Sequence, residues 1–148
     1  LSKGLGAPVG SVLIGTKGFI DKARRVRKVF GGGMRQAGYL AAAGIYALDN
    51  NIERLKEDHR KAKVLANVLS TLPWVDTVHD CNTNIVLFSV KAPLTAIPVV
   101  KQLEQAGLYG IDFDKMTIRL VTHLDFSDEM LNQAVQILQD FKPDFAAI

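Results

Sequence analysis

At Pro73 the rhythm of apolar residues changes, and that change limits what this chain can fold into. Before it, Ile52, Leu55, Ala62, Leu65, Ala66 and Leu69 recur at three- and four-residue spacings, which predicts an amphipathic helix. The other side of that helix carries Glu53, Lys56, Glu57, Arg60 and Lys63, a solvated face with paired charges. After Pro73, residues 77–80 and 84–90 read as strands. Pro93 opens a helix carrying Ile97, Val100 and Leu103, and Gly107 stands where a C-terminal cap belongs. Residues 117–122 read as a further strand. Ser127 caps a last helix with Asp128 and Glu129 in its first turn, the sign the helix dipole favours. Leu131, Ala134, Val135, Leu138 and Phe141 form its buried stripe, and the tail beyond Pro143 is expected to fray. Residues 51–148 are therefore expected to form a small α/β sandwich.

The first part of the chain fits that sandwich poorly. Residues 9–14, an apolar and β-branched run, predict a buried strand, and residues 19–29 a short helix with a basic side. Gly31-Gly32-Gly33 breaks the pattern. From Met34 to Leu48 small residues (Ala37, Gly38, Ala41, Ala42, Ala43, Gly44) predict a closely packed, buried helix, and Asn50-Asn51 a turn or cap. Residues 1–30 thus read as the end of another domain and 31–50 as an interdomain or interface helix. Function-like residues begin at position 2 without an initiator Met, so the chain reads as a C-terminal fragment.

Composition narrows the function classes. Hydrophobic residues make up 48% and charged residues 22%, the balance of an ordinary globular protein. A net charge of +3 is too small to imply a polyanion partner, and no apolar run approaches the ~20 residues needed to span a bilayer, so neither nucleic acid nor membrane is expected. Cys81 is the single cysteine and forbids an internal disulfide, which fits a reducing, cytoplasmic setting.

Four features carry candidate chemistry. Lys3, between Ser2 and the spaced glycines Gly4 and Gly6, reads either as a Schiff-base former or as a solvated lysine. The run Lys22-Ala23-Arg24-Arg25-Val26-Arg27-Lys28 can meet nucleic acid or a phosphate, or simply face water. Gly31-Gly32-Gly33 before Met34-Arg35-Gln36 permits close backbone approach, with Arg35 in reach of an anion, or is a plain connecting loop. Arg119 stands inside an apolar strand, where a guanidinium is costly unless an anion pairs with it. That anion is either a substrate carboxylate held through two parallel hydrogen bonds or a structural Asp or Glu. His59, His79 and His123 show no metal-ligand spacing, and no metal is expected.

Taken in order, Ser2-Lys3-Gly4-Leu5-Gly6-Ala7-Pro8-Val9-Gly10-Ser11, the basic helix, Gly31-Gly32-Gly33-Met34-Arg35-Gln36, Ala41 to Leu48, Asn82-Thr83-Asn84 and Arg119-Leu120-Val121-Thr122-His123 resemble the C-terminal half of the low-specificity L-threonine aldolases. The resemblance runs from residue 1 to about residue 141. It implies the end of a fold-type-I large domain followed by a small α/β domain, and a pyridoxal 5'-phosphate enzyme cleaving L-threonine or L-allo-threonine to glycine and acetaldehyde. It implies that Lys3 carries the cofactor, that Arg119 grips the substrate carboxylate, and that Lys28 and Arg35 lie near the cofactor phosphate of a neighbouring subunit in a homotetramer. The remaining site residues are expected upstream, in a missing N-terminal half. The alternatives are another fold-type-I lyase or transferase, or a structural and association module without activity of its own.

Overall fold

The computed structural model describes residues 1–144, which divide into two compact units that meet between Glu53 and Arg54. The second unit is an α/β sandwich. It holds helix α3 (Leu55–Leu69), strands β1 (Val75–Val78) and β2 (Ile85–Val90), helix α4 (Ala96–Gln105), strands β3 (Ile111–Asp112) and β4 (Thr117–Val121), and helix α5 (Asp128–Asp140). The first unit contains α1 (Lys17–Val29) and α2 (Gly38–Asn50).

The sheet of the second unit is antiparallel throughout, in the order β1-β2-β4-β3. Its centre is the pairing of β2 with β4, from Ile85↔Val121 through Leu87↔Arg119 to Ser89↔Thr117. Because side chains alternate along a strand, Val86, Phe88 and Val90 of β2 and Ile118 and Leu120 of β4 share one face, and all are buried. Helix α3 packs on β1 and β2, α4 on β3 and β4, and α5 against α3. The expected stripes are borne out over most of their length: Ala62, Leu65, Ala66 and Leu69 of α3 and Leu131, Ala134 and Leu138 of α5 enter one core, while Ile52 precedes α3 and is 50% exposed. Trp74 closes it, edge-on to Phe88 at 5.9 Å and to Phe141 at 5.3 Å between ring centroids. Each fully buried aliphatic or Phe side chain contributes about 1.5–3 kcal/mol by leaving water.

The helix ends follow local chemistry. Ser127 accepts from the Met130 amide, as an N-cap should. Gly107 has φ +93°, and the Gly107 and Leu108 amides donate to the carbonyls of Glu104 and Leu103, the paired bonds of a Schellman stop. The hairpin from β3 to β4 is folded by Asp114, whose Oδ1 accepts from the amides of Met116 and Thr117, both at 2.8 Å. Arg60 of α3 bridges Glu57 and Asp128 on the surface, which ties the start of α5 to α3 only weakly.

Three expectations are corrected. Residues 9–14 form no strand: Val12, Leu13 and Ile14 are 62, 60 and 84% exposed. A β-branched run supplies propensity, but a strand needs a neighbour for its backbone groups, and the described residues of the first unit contain no strand to pair with. Helix α2 begins at Gly38, not Met34, because Gln36 adopts a left-handed φ of 51°. Nor is α2 buried. Only Gly44 and Ala47 are covered, and Tyr39, Ile45 and Tyr46 remain 79, 61 and 65% exposed. Small residues permit close packing without providing a partner. The two-residue strand β3 was not expected. Asp144 is tied by its amide to Gln102 Oε1 at 2.8 Å, and the rest of the tail lies outside the described residues.

The hairpin carboxylate yields a pH prediction. Amides of Met116 and Thr117 and the Thr117 hydroxyl hold Asp114 below the usual carboxylate range, the Met116 amide foremost. A depressed folded pKa gives stability that is present above the unfolded value and lost as pH falls through the folded one. We expect Asp114→Asn to unfold at lower urea than the parent at pH 7 and to lose less on acidification below about pH 4. Urea midpoints measured across that range check it.

Candidate functional site

The face of the sheet opposite the core carries the second unit's main candidate. Arg119 sits at the middle of β4, flanked by Leu87 on β2 and Ile111 on β3. Ile85 and Val121 continue the apolar surroundings, partly open to solvent. Arg119 itself is half-buried, yet its Nε is fully covered and has no hydrogen-bond partner. Among the described residues no carboxylate pairs with it. Of the two sequence alternatives, the structural ion pair is therefore absent from the described residues. A covered guanidinium nitrogen left without an acceptor is costly. Arg119 as a residue remains partly open on this face, and a guanidinium's fork of donors suits a planar anion.

Two other covered polar atoms lack partners, Asp58 Oδ2 and Trp74 Nε1, both in residues sealed in the core. Asp58 is compensated on its other oxygen, which accepts from Arg54 at 2.6 Å.

The remaining candidates lie in the first unit. Lys3 starts a tight turn closed by the Gly6 amide donating to the Lys3 carbonyl at 2.9 Å, with Gly6 at φ +69°. The turn is fastened to the end of α2, where Asn51 Nδ2 donates to the Leu5 carbonyl at 2.7 Å. Leu1 packs at Gly44 of α2, where a Cβ would come within 3.3 Å of its methyl. The Lys3 side chain is exposed and meets no acidic group among the described residues.

Lys28 ends a basic helix that stops at the glycines. Gly31 takes φ +79°, and the amides of Gly31 and Gly32 donate to the carbonyls of Lys28 and Arg27 at 3.0 and 2.8 Å, a second Schellman stop. A Cβ on Gly32 would meet Arg27 Cγ at 2.6 Å, so any other residue there would have to displace the Arg27 side chain. At Gly33 the nearest group is Lys28 Nζ, 3.1 Å from where a Cβ would stand. The triglycine is thus both a helix stop and the floor beneath an ammonium. Arg35 follows, exposed, in the turn before α2.

The histidines and cysteine take structural places. His123 Nδ1 accepts from the Asp125 amide at 3.2 Å in the turn after β4. His79 is exposed and extends β1 by donating its amide to Leu87. Burial pushes the Cys81 thiol up, against a smaller opposing pull from Lys63, and keeps it a poor nucleophile. Among the described residues no group of three or more His, Cys, Asp or Glu is placed to hold a metal ion. No described helix is long and apolar enough to cross a membrane. Sequence reasoning missed Asn51 as the fastener of the Lys3 turn, and Thr122 as a buried residue just beyond Arg119. Neither carries a local signal, because both act on backbone atoms distant in sequence.

Comparison with known proteins supplies the family. Residues 1–93 match the Beta-eliminating lyase family. The chain is 46% identical over 131 residues to the low specificity L-threonine aldolase of Escherichia coli (strain K12), covering 88% of this chain and 38% of that protein. It is 45% identical over 126 residues to low-specificity L-threonine aldolase 1 of Arabidopsis thaliana, covering 83% and 35%. It therefore spans little more than a third of these relatives' length. Among solved structures it is similar to the cystine C-S lyase C-DES in complex with its reaction product cysteine persulfide, with TM-score 0.55, 27% identity, and coverage of 72% of this chain and 29% of that one. A mutant of C-DES is also known with glycine covalently linked to its PLP cofactor. On the match over residues 1–93, which covers more than half of it, the chain belongs to the Beta-eliminating lyase family.

Proposed function

We propose that this chain supplies the C-terminal part of a pyridoxal-phosphate-dependent L-threonine aldolase, which cleaves L-threonine or L-allo-threonine to glycine and acetaldehyde. The observation that carries the reading is the covered, unpartnered Nε of Arg119 in a chain 45 and 46% identical to two proteins named as such aldolases. The residues present suit the cofactor. Lys3 offers a primary amine free of acidic partners among the described residues, and Lys28 over Gly33 offers a cation for a phosphate. Lys3 would hold the cofactor, Lys28 and Arg35 would serve its phosphate, and Arg119 would bind the substrate carboxylate.

The chemistry that bound pyridoxal phosphate would supply is an electron sink for the pair released from the Cα–Cβ bond. The protein's task is orientation. A guanidinium gripping both carboxylate oxygens removes rotation about Cα and so selects which bond breaks. The Lys3 amine, once deprotonated, is the nucleophile of this chain, and the turn that Asn51 fastens fixes its position. The group that removes the β-hydroxyl proton belongs, on this reading, to the segment that the longer relatives have and this chain does not include.

Several finer points belong to the same proposal. Residues 1–30 are the end of the cofactor-binding large domain, 31–50 an interface helix, and 51–148 the small domain. The exposed Tyr39, Ile45 and Tyr46 of α2 support a homo-oligomer, a tetramer with sites shared between subunits. The lone Cys81 supports a cytoplasmic setting.

The full-length protein supplied with pyridoxal phosphate is expected to release glycine and acetaldehyde from L-threonine in equal amounts, and Lys3→Ala to abolish turnover. Residues 1–148 alone are expected to release none. A coupled alcohol dehydrogenase assay reads the aldehyde, and keto-acid formation in its place would point to a transferase and sink the proposal. Arg119→Ala is expected to raise KM for L-threonine roughly 10- to 100-fold, the range for losing charge-assisted hydrogen bonds. Arg119→Lys restores only part of the loss, because an ammonium cannot make the paired contact. Steady-state kinetics check both variants.

A further inference from the structure

Arg119 occupies the centre of the five-residue strand β4, and bonds at both ends of that strand add to the paired ladder that sets its register. At the start of β4, Asp114 receives the amides of Met116 and Thr117. At the other end the paired ladder with β2 reaches Ile85↔Val121. Asn84 carries it one step further. The Thr122 amide donates to the Asn84 carbonyl at 2.9 Å, and Asn84 Nδ2 donates back to the Thr122 carbonyl at 2.7 Å. The side-chain amide does the work of the next backbone N–H.

Thr122 then reaches into a third element. Its hydroxyl, in a residue only 1% exposed, donates to the carbonyl of Asp58 in α3 at 2.7 Å. One residue thereby joins β2, β4 and α3. The stake is the register itself, because a one-residue slip would move Arg119 from the outer face to the core face.

We propose that Thr122 and Asn84 are positioning residues for Arg119, locking the end of β4 so that the guanidinium is presented on the outer face of the sheet. The proposal rests on the reading of Arg119 as the carboxylate-binding residue. Both residues act through Arg119 and fix where the substrate carboxylate is held.

The test uses the full-length enzyme, pyridoxal phosphate and L-threonine. Thr122→Val keeps the shape and removes the hydroxyl, while Thr122→Ser keeps the hydroxyl. We expect Thr122→Val to raise KM by about 10-fold, as a small misplacement of a binding group does, with kcat nearly unchanged. Thr122→Ser should stay close to the parent. Asn84→Asp, which sets an acceptor against the Thr122 carbonyl, should raise KM likewise, and it decides the matter if Thr122→Val does not fold. Arg119→Ala is run beside them. If Arg119→Ala raises KM while the Thr122 and Asn84 variants lower only the melting temperature, the positioning role is overturned and the reading of Arg119 stands. If Arg119→Ala leaves KM unchanged, the reading of Arg119 fails and takes the positioning role with it.

Discussion

The antiparallel pairing of β2 with β4 is the constraint on which the second unit depends. Its register puts Val86, Phe88, Ile118 and Leu120 on the core face, and the same alternation puts Arg119 on the other. The strand that completes the core is therefore also the strand that presents the cation. The apolar neighbours of Arg119 on β2 and β3 make its charge expensive to leave unpaired. The expense is tolerable in a site that exists to receive an anion, and hard to account for in a purely structural sheet.

The first unit works by different means. Within it, helices and turns are ended by glycine stereochemistry and fastened by single hydrogen bonds. The left-handed Gly31 stops α1 just after Lys28, and the left-handed Gly6 shapes the turn at Lys3. Asn51 joins that turn to α2 across 46 residues of sequence. Much apolar surface remains open on α1 and α2, including Val29 and Tyr39 at 77 and 79% exposure. Small side chains and glycine-limited turns set the backbone geometry there, and large buried side chains contribute little.

The sequence foretold what depends on local pattern. The stripes of α3 and α5, the Ser127 cap and the Gly107 stop each rest on residues within a few positions of one another. What it could not foretell depends on partners. Residues 9–14 carry strand propensity, yet no neighbouring strand receives them in the first unit. The small residues of α2 promise burial, but little packs on them. Strand β3 has two residues, too few to show a period. Arg119 was visible as an anomaly in an apolar strand, but its lack of an acidic partner among the described residues was not, since every Asp and Glu in the chain was a candidate. Thr122 and Asn84 stood in the motifs of the family resemblance, and their role as a clamp emerges only from bonds spanning 38 and 64 residues.

The functional account thus rests separately on a cation placed by sheet register in the second unit and on an amine held by a fastened turn in the first, in a member of the Beta-eliminating lyase family. Its central claim is that Lys3 is the residue that carries pyridoxal phosphate. The most direct measurement is borohydride reduction of the full-length protein loaded with the cofactor, followed by peptide mass mapping. The account predicts the reduced cofactor's mass on the peptide containing Lys3. A reduced, loaded protein with Lys3 unmodified and another lysine labelled would contradict it.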